Sequence, residues 1–80
     1  MAATEQADEE IIDALGLKCP LPVFLARRAL NAASLGTVIA LHADDPLAKI
    51  DLPVFCRREG HALLGIETSV NGQIFRIRKA

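Results

Sequence analysis

Cys19 is the residue of this chain whose neighbours most clearly point to chemistry. It lies between an apolar run, residues 11–15, that predicts a strand, and a helix-forming run that begins directly after Pro20 and Pro22. Proline is tolerated in the first helical turn because the N–H that it lacks would have no partner there. The sequence Cys-Pro-x-Pro therefore predicts a helix with Cys19 as its N-cap and Pro20 as its first residue.

A cysteine at the start of a helix is predicted to be reactive. The positive end of the helix dipole and the neighbouring Lys18 both favour a thiolate, and each lowers the pKa of a thiol. Within a few residues on the helix side there is no His, Asp or Glu that could act as a general base. This favours thiol transfer, in which the sulfur itself attacks and leaves, over acyl transfer. The local pattern leaves open a structural cysteine packed under the turn.

Other kinds of cysteine chemistry are excluded by spacing and number. A Cys-x-x-Cys dithiol is absent because residue 16 is Gly and residue 22 is Pro. Two cysteines cannot organise a disulfide scaffold. The Cys and His residues match no zinc-finger spacing and predict no metal site, and we expect no cofactor; they are Cys19, His42, Cys56 and His61.

Composition limits the chain to one small domain. It has 80 residues, of which 51% are hydrophobic and 4% aromatic. Scarce aromatics argue against a stacking surface for single-stranded nucleic acid, and we expect no direct nucleic-acid partner. Four acidic side chains and no basic ones lie in residues 1–10, which predict a flexible acidic arm before a single domain at 11–80. No run approaches a membrane span and the N-terminus is acidic, so we expect a cytoplasmic monomer.

The order of predicted elements is β-α-β-α-β-β. The strand at 11–15 is followed by a helix at about 20–33, a strand at 37–43, one turn near 46–50 and a helix at about 52–59 capped by Asp51. Two strands, 62–69 and 73–79, follow around Asn71-Gly72, the strongest short hairpin signal. A two-residue loop there would pair Thr68 with Phe75. Right-handed crossovers then predict an α+β two-layer sandwich, with a mixed four-stranded sheet and both helices on one face.

The first helix has an apolar face and an opposite face that is not simply polar. The apolar face is predicted to be buried, and the opposite face carries Phe24, Arg27 and Arg28. An aromatic side chain between two arginines is either an ordinary solvated face or a docking surface for an acidic partner.

Local context predicts roles for several further residues. Asp13 is expected to bond N–H groups of the turn at Gly16. Asp45 is first a helix cap, and whether it also faces Cys19 is left open. Cys56 falls on an apolar helix face and is predicted to be a buried core thiol. His42 and His61 are predicted to be structural.

The motif around Cys19 resembles the signature of the TusA family of small sulfur carriers. The resemblance rests on Asp13-x-x-Gly16-x-x-Cys19-Pro20-x-Pro22 and extends through the residues at 43–46 and 51–56 to the end of the chain, covering about 11–79. It implies the same β-α-β-α-β-β sandwich. It also implies that Cys19 accepts sulfur as a persulfide, while Asp13, Gly16, Lys18, Pro20 and Pro22 support the helix tip.

The resemblance further implies partners and a pathway. A cysteine desulfurase would load Cys19, and a downstream acceptor protein would take the sulfur, in the best-known branch towards 2-thiolation of the wobble uridine of tRNA. The same relay could serve sulfur oxidation, molybdenum-cofactor maturation or selenium metabolism. An alternative of another class is a non-catalytic regulator or RNA-binding module, for which Arg76 and Arg78 on the open sheet face are the only hint and Glu67 a counter-indication.

Overall fold

The computed structural model describes residues 9–80. The predicted element order is confirmed, with β1 (Glu9–Ala14), α1 (Leu21–Ala32), β2 (Val38–Ala43), α2 (Ala48–Glu59), β3 (Ala62–Ser69) and β4 (Gly72–Arg78). The four strands form one mixed sheet in the order β1-β2-β4-β3, in which β1 and β2 are parallel and the other neighbours antiparallel. The α+β sandwich expected from the sequence is therefore confirmed.

The core lies between the helices and one face of the sheet. The strands bury Ile39, Leu41, Phe75 and Ile77 there, and the helices cover them with side chains that include Ala26, Leu30, Leu52 and Phe55. These residues alternate along the strands and recur every three or four positions along the helices, as one-sided burial requires.

The other face of the sheet carries an ion-pair cluster. The Arg76 guanidinium contacts the carboxylates of Glu9 and Glu67, which come from the two outer strands. Arg76 is therefore neutralised from both sides, and Arg78 is exposed beside it.

The parallel pairing of β1 and β2 decides where the functional residues meet. Ala14 lies opposite Ala43, so both strands end at the same edge of the sheet, and the segments that start α1 and α2 follow from that edge. The start of β1 lies at the opposite edge, where Glu9 pairs with Val38 and Val38 with Arg78 of β4.

The first strand begins earlier than predicted. Glu9 and Glu10 belong to β1, so the domain starts inside the predicted arm, whose other residues lie outside the described part of the chain. Pairing with Val38 and Ile39 extends the strand through two charged residues that the hydrophobic pattern could not include.

The second helix is also longer than predicted. It runs through Pro53 without interruption, where the sequence predicted a separate turn and a helix from 52. Helix-like hydrogen bonds begin in the turn before it, since the amides of Ala48 and Asp51 donate to the backbone carbonyls of Asp45 and Leu47. The apolar face buried on both sides of Pro53 compensates for the one hydrogen bond that proline cannot donate.

The β3–β4 hairpin forms in a register two residues away from the predicted one. Thr68 pairs with Gln73 and Ile66 with Phe75, so the turn consists of Val70 and Asn71. Gly72 is part of β4, and a Cβ at this position would lie 2.5 Å from the carbonyl oxygen of Ala43. The glycine is therefore needed for close backbone packing and not for the turn. A shift of two residues leaves the side chains of residues 66–69 on their predicted face. An irregularity between Leu63 and Gly65 then places Leu63 opposite Ile77.

Candidate functional site

Cys19 lies exposed at the tip where the loop after β1 enters α1. The helix begins at Leu21 with Pro20 as its N-cap, one residue later than predicted, and the Cys19–Pro20 peptide bond is cis. The amides of Leu21 and Phe24 donate to the carbonyls of Lys18 and Pro20, at 2.8 and 3.1 Å. Cys19 therefore precedes the N-cap, and its sulfur does not accept the free N–H groups of the first turn.

The loop before Cys19 is held by its own residues. The Leu15 amide donates to Oδ1 of Asp13 at 3.0 Å, which confirms the role predicted for Asp13. Gly16 has φ = 81°, a left-handed conformation that favours glycine. Asp13 and Gly16 thus act on the backbone of the loop, one by bonding an amide and the other by adopting a left-handed conformation.

A second set of bonds comes from the segment between β2 and α2. The Gly16 amide donates to both oxygens of Asp44, at 3.0 and 3.1 Å. The Cys19 amide donates to Oδ2 of Asp45 at 2.6 Å, and Oδ1 of the same carboxylate accepts from the Leu47 amide at 3.1 Å. Asp45 thus ties the start of α2 to the cysteine, which answers the question that the sequence left open.

The sulfur itself has an acidic partner. The Cys19 Sγ donates a hydrogen bond to Oδ2 of Asp51, which lies in the first turn of α2. The sequence predicted Asp51 only as the cap of a helix from residue 52, and that interpretation was wrong, because Asp51 lies inside α2 and bonds the thiol. The signal that could have found it is the parallel order of β1 and β2, which brings the starts of α1 and α2 to one edge of the sheet.

The predicted lowering of the thiol pKa is therefore reversed. The hydrogen bond to Asp51 raises the pKa of Cys19 above its usual value, and partial loss of hydration and the negative charges of Asp51 and Asp45 act in the same direction. Lys18 acts on a different group, since its ammonium helps to lower the pKa of Asp45. In the free protein Cys19 is accordingly held as a thiol.

Replacing Asp45 with asparagine is expected to lower stability at neutral pH but not in acid. The amides of Cys19 and Leu47 hold the pKa of Asp45 below its usual range, so the charged form favours the folded state. That contribution is present above the pKa of the unfolded chain and is lost as the pH falls through the lower pKa of the folded state. Urea unfolding of both proteins at pH 7 and about pH 2 to 3 measures this. If the free energies of unfolding of the two proteins differ by the same amount at both pH values, the prediction is wrong.

The second cysteine belongs to the core. Cys56 is 2% exposed, and burial raises the pKa of its thiol to about 11. This agrees with the predicted core thiol. His61 lies with its ring centroid 5.8 Å from that of Phe55 and accepts the Ala80 amide on Nδ1, contacts of a structural residue.

The three residues predicted to form a docking face on α1 are separated by the structure. Phe24 and Arg28 are exposed, as predicted. Arg27 instead turns towards α2, with its guanidinium 3.6 Å from the Glu59 carboxylate and 5.4 Å from the centre of the Phe55 ring. It lines a groove of about 520 Å³ between the helices, with Pro20, Val23, Asp51, Val54, Phe55, Arg58 and Glu59. Arg27 is about two helical turns from Pro20 and contacts the neighbouring helix because α1 and α2 start side by side.

Two further observations concern the whole described segment. Residues 9–80 contain no group of three or more His, Cys, Asp or Glu side chains that could hold a metal ion. Neither of the helices in that segment is long and apolar enough to cross a membrane.

Comparison with known proteins extends these observations to the whole domain. The model of a family described as sulfurtransferase TusA matches residues 10–79. This range includes Cys19 as well as Asp44, Asp45 and Asp51. A protein of Archaeoglobus fulgidus named "Putative sulfur carrier protein" is 41% identical over 61 residues, which cover 76% of this chain and 79% of that protein. The crystal structure of a SirA-like protein from Desulfitobacterium hafniense is similar with a TM-score of 0.72 and 30% identity, covering 88% of this chain and 95% of that one. This chain therefore belongs to the TusA sulfurtransferase family.

Proposed function

We propose that this protein carries sulfur as a persulfide on Cys19. A cysteine desulfurase loads the sulfur, and a downstream acceptor protein removes it. The observation that carries the proposal is the placement of Cys19, whose sulfur is exposed at a tip that Asp44 and Asp45 fix through backbone hydrogen bonds. A sulfur that is accessible and fixed in direction suits transfer between the cysteines of two proteins.

The proposed transfer needs no oxidant or reductant beyond its two partners. The Cys19 sulfur attacks the terminal sulfur of the desulfurase persulfide, the sulfur–sulfur bond of the donor breaks, and the donor cysteine leaves as a thiolate. In the second half, a cysteine of the acceptor attacks the terminal sulfur on Cys19, and Cys19 is the leaving group. The terminal sulfur keeps its oxidation state throughout.

We propose that the carried sulfur is used for 2-thiolation of the wobble uridine of tRNA, the best-known branch of the family's chemistry. The acceptor would then be a protein, and this protein would contact no RNA itself. A reducing compartment such as the cytoplasm suits a carrier whose working group is a free thiol. The same transfer on Cys19 would serve sulfur oxidation, molybdenum-cofactor maturation or selenium metabolism.

The alternative of an RNA-binding module is weakened by the open face of the sheet. Arg76, one of the two arginines that suggested it, is paired with Glu9 and Glu67. RNA binding through phosphates needs unpaired cations. Salt-dependent RNA binding that survives the loss of Cys19 would favour this alternative.

The test of the proposal is sulfur loading followed by mass analysis. The protein is incubated with a cysteine desulfurase and L-cysteine, and its intact mass is measured before and after addition of a reductant. We expect the mass of one added sulfur atom, located on the peptide that contains Cys19 and removed by the reductant. A protein that never gains sulfur under conditions in which the desulfurase turns over would overturn the proposal.

Phe24 and Arg28 are expected to contribute to docking of the desulfurase. Replacing Phe24 with alanine and Arg28 with glutamate in one variant should raise the KM for the carrier several-fold with little change in kcat, since an exposed aromatic and an exposed cation would lose their contacts with the partner. Initial rates of sulfur loading measure this. Arg57→Glu, which makes the same charge reversal at an exposed position on α2, is the control. An unchanged KM for the double variant would remove this face from the interface.

A further inference from the structure

Exposed apolar side chains occur in both segments that meet at Cys19. Leu21 and Phe24 lie in the first turn of α1, and Leu47 and Ile50 lie at the start of α2, next to residues that bond Cys19. These four side chains, the tip surface from here on, are between 44% and 62% exposed. Large apolar side chains gathered around an exposed functional group are typical of a contact surface.

The centre of the tip surface is negatively charged. The Asp51 carboxylate bonds the sulfur directly, and Asp45 lies behind it on the Cys19 amide. Any molecule whose sulfur reaches Cys19 must displace water from Asp51. A carboxylate that loses its hydration against an apolar surface is strongly disfavoured unless a cation pairs with it.

We infer that the sulfur partners of this protein present to the tip surface an apolar face that includes a cationic group, and that this group pairs with Asp51. The inference rests on the proposed function, because that function brings a partner cysteine to Cys19. The one occupant that fits is a protein whose reactive cysteine has a Lys, Arg or protonated His beside it. The apolar contacts provide most of the buried interface area, and the pairing of opposite charges fixes how the partner is positioned on the tip surface.

The pairing also explains how a thiol held by a carboxylate reacts. A cation paired with Asp51 offsets the negative charge of its carboxylate, which otherwise opposes ionisation of Cys19. The sulfur therefore becomes a better nucleophile when the partner is in place. Cys19 then bonds to the terminal sulfur of the donor, the donor's sulfur–sulfur bond breaks, and the proton of Cys19 ends on the donor thiol that leaves. Cys19 is therefore a weaker nucleophile in free carrier than in docked carrier.

Small disulfides of different charge test the role of Asp51 without any partner protein. Cystamine carries two ammonium groups and dithiodipropionate two carboxylates, and each forms a mixed disulfide with Cys19 while releasing one thiol. We expect the wild type to prefer cystamine, and we expect Asp51→Asn to reduce the ratio of the two rates by about ten-fold. Raising the ionic strength should reduce the wild-type ratio in the same direction.

Glu67→Gln is the matched control. It removes one negative charge from an exposed carboxylate on the other face of the sheet, so its net charge equals that of Asp51→Asn. Its ratio of rates should equal that of the wild type. A ratio that is the same in Asp51→Asn and the wild type, or that is insensitive to salt in the wild type, would overturn the inference.

The apolar part of the surface is tested with the desulfurase. Ile50→Gln should raise the KM for sulfur loading several-fold, whereas Leu35→Gln, at a 78% exposed apolar position after the other end of α1, should not. Equal effects of the two substitutions would overturn the apolar contact. If the wild type takes up no sulfur at all, the proposed function fails, while the disulfide rates still decide whether Asp51 attracts cations.

Discussion

Replacing Cys19 with serine is expected to abolish sulfur loading completely while leaving the thermal unfolding midpoint unchanged. A serine hydroxyl cannot form a persulfide, and among residues 9–80 the only other thiol is Cys56. The side chain is exposed and bonds only at the surface, so its loss leaves no cavity. Intact mass after incubation with the desulfurase, together with the unfolding curve, measures both parts of the prediction.

The matched variant removes the second cysteine. Cys56→Ala should take up sulfur at the wild-type rate, because the Cys56 sulfur is buried and its pKa of about 11 keeps it protonated. It should also be somewhat less stable, since a small cavity remains beside Leu52 and Phe55. Sulfur found on Cys19→Ser, or lost from Cys56→Ala while that variant is folded, would mean that the carrier uses a different or a second cysteine.

Replacing Gly72 with alanine is expected to destabilise the fold by about 3 kcal/mol. Gly72 has φ = 149°, and an added Cβ would lie 2.5 Å from the carbonyl oxygen of Ala43 and 3.0 Å from the Cα of Asp44. The nearest of these atoms belong to backbone, which cannot move aside as a flexible side chain would. Because Asp44 accepts the Gly16 amide, the strain also reaches the loop before Cys19. Urea unfolding followed by circular dichroism measures the loss.

Gly65 offers the comparison for this experiment. It lies in β3 without a positive φ, and a Cβ there would meet no atom within 4 Å. Gly65→Ala should therefore change the free energy of unfolding by no more than about 0.5 kcal/mol. A similar loss in both variants would show that the close approach of Gly72 to Ala43 is not what matters.

The fold was predictable because its signals are local and repeated. Apolar periodicity identified both helices and all four strands, and Asn71-Gly72 identified the hairpin. The hairpin register was not predictable, since it depends on how closely Gly72 packs against the end of β2. The predicted start of the second helix was wrong for a similar reason. Local propensity predicts a break at Pro53, whereas tertiary burial keeps the helix intact.

The site was predicted only as far as one segment can define it. Cys19, Asp13 and Gly16 are close in sequence, and their places in the loop before α1 followed from their order. The partner of the sulfur was missed because Asp51 is distant in sequence and reaches Cys19 through the sheet. The predicted direction of the thiol pKa failed with it, since a helix dipole and Lys18 were weighed without the carboxylates that the fold brings close.

The edge of the sheet opposite Cys19 has a practical use. Glu9 at the start of β1, Val38 at the start of β2 and Arg78 at the end of β4 lie side by side there. An anchor attached beyond Arg78 would hold the molecule to a sensor surface with its thiol directed towards the solution. Immobilised in this way, every copy would present Cys19 in the same orientation, and the sulfur that donors in solution transfer to Cys19 could be measured on the surface after the donors are washed away.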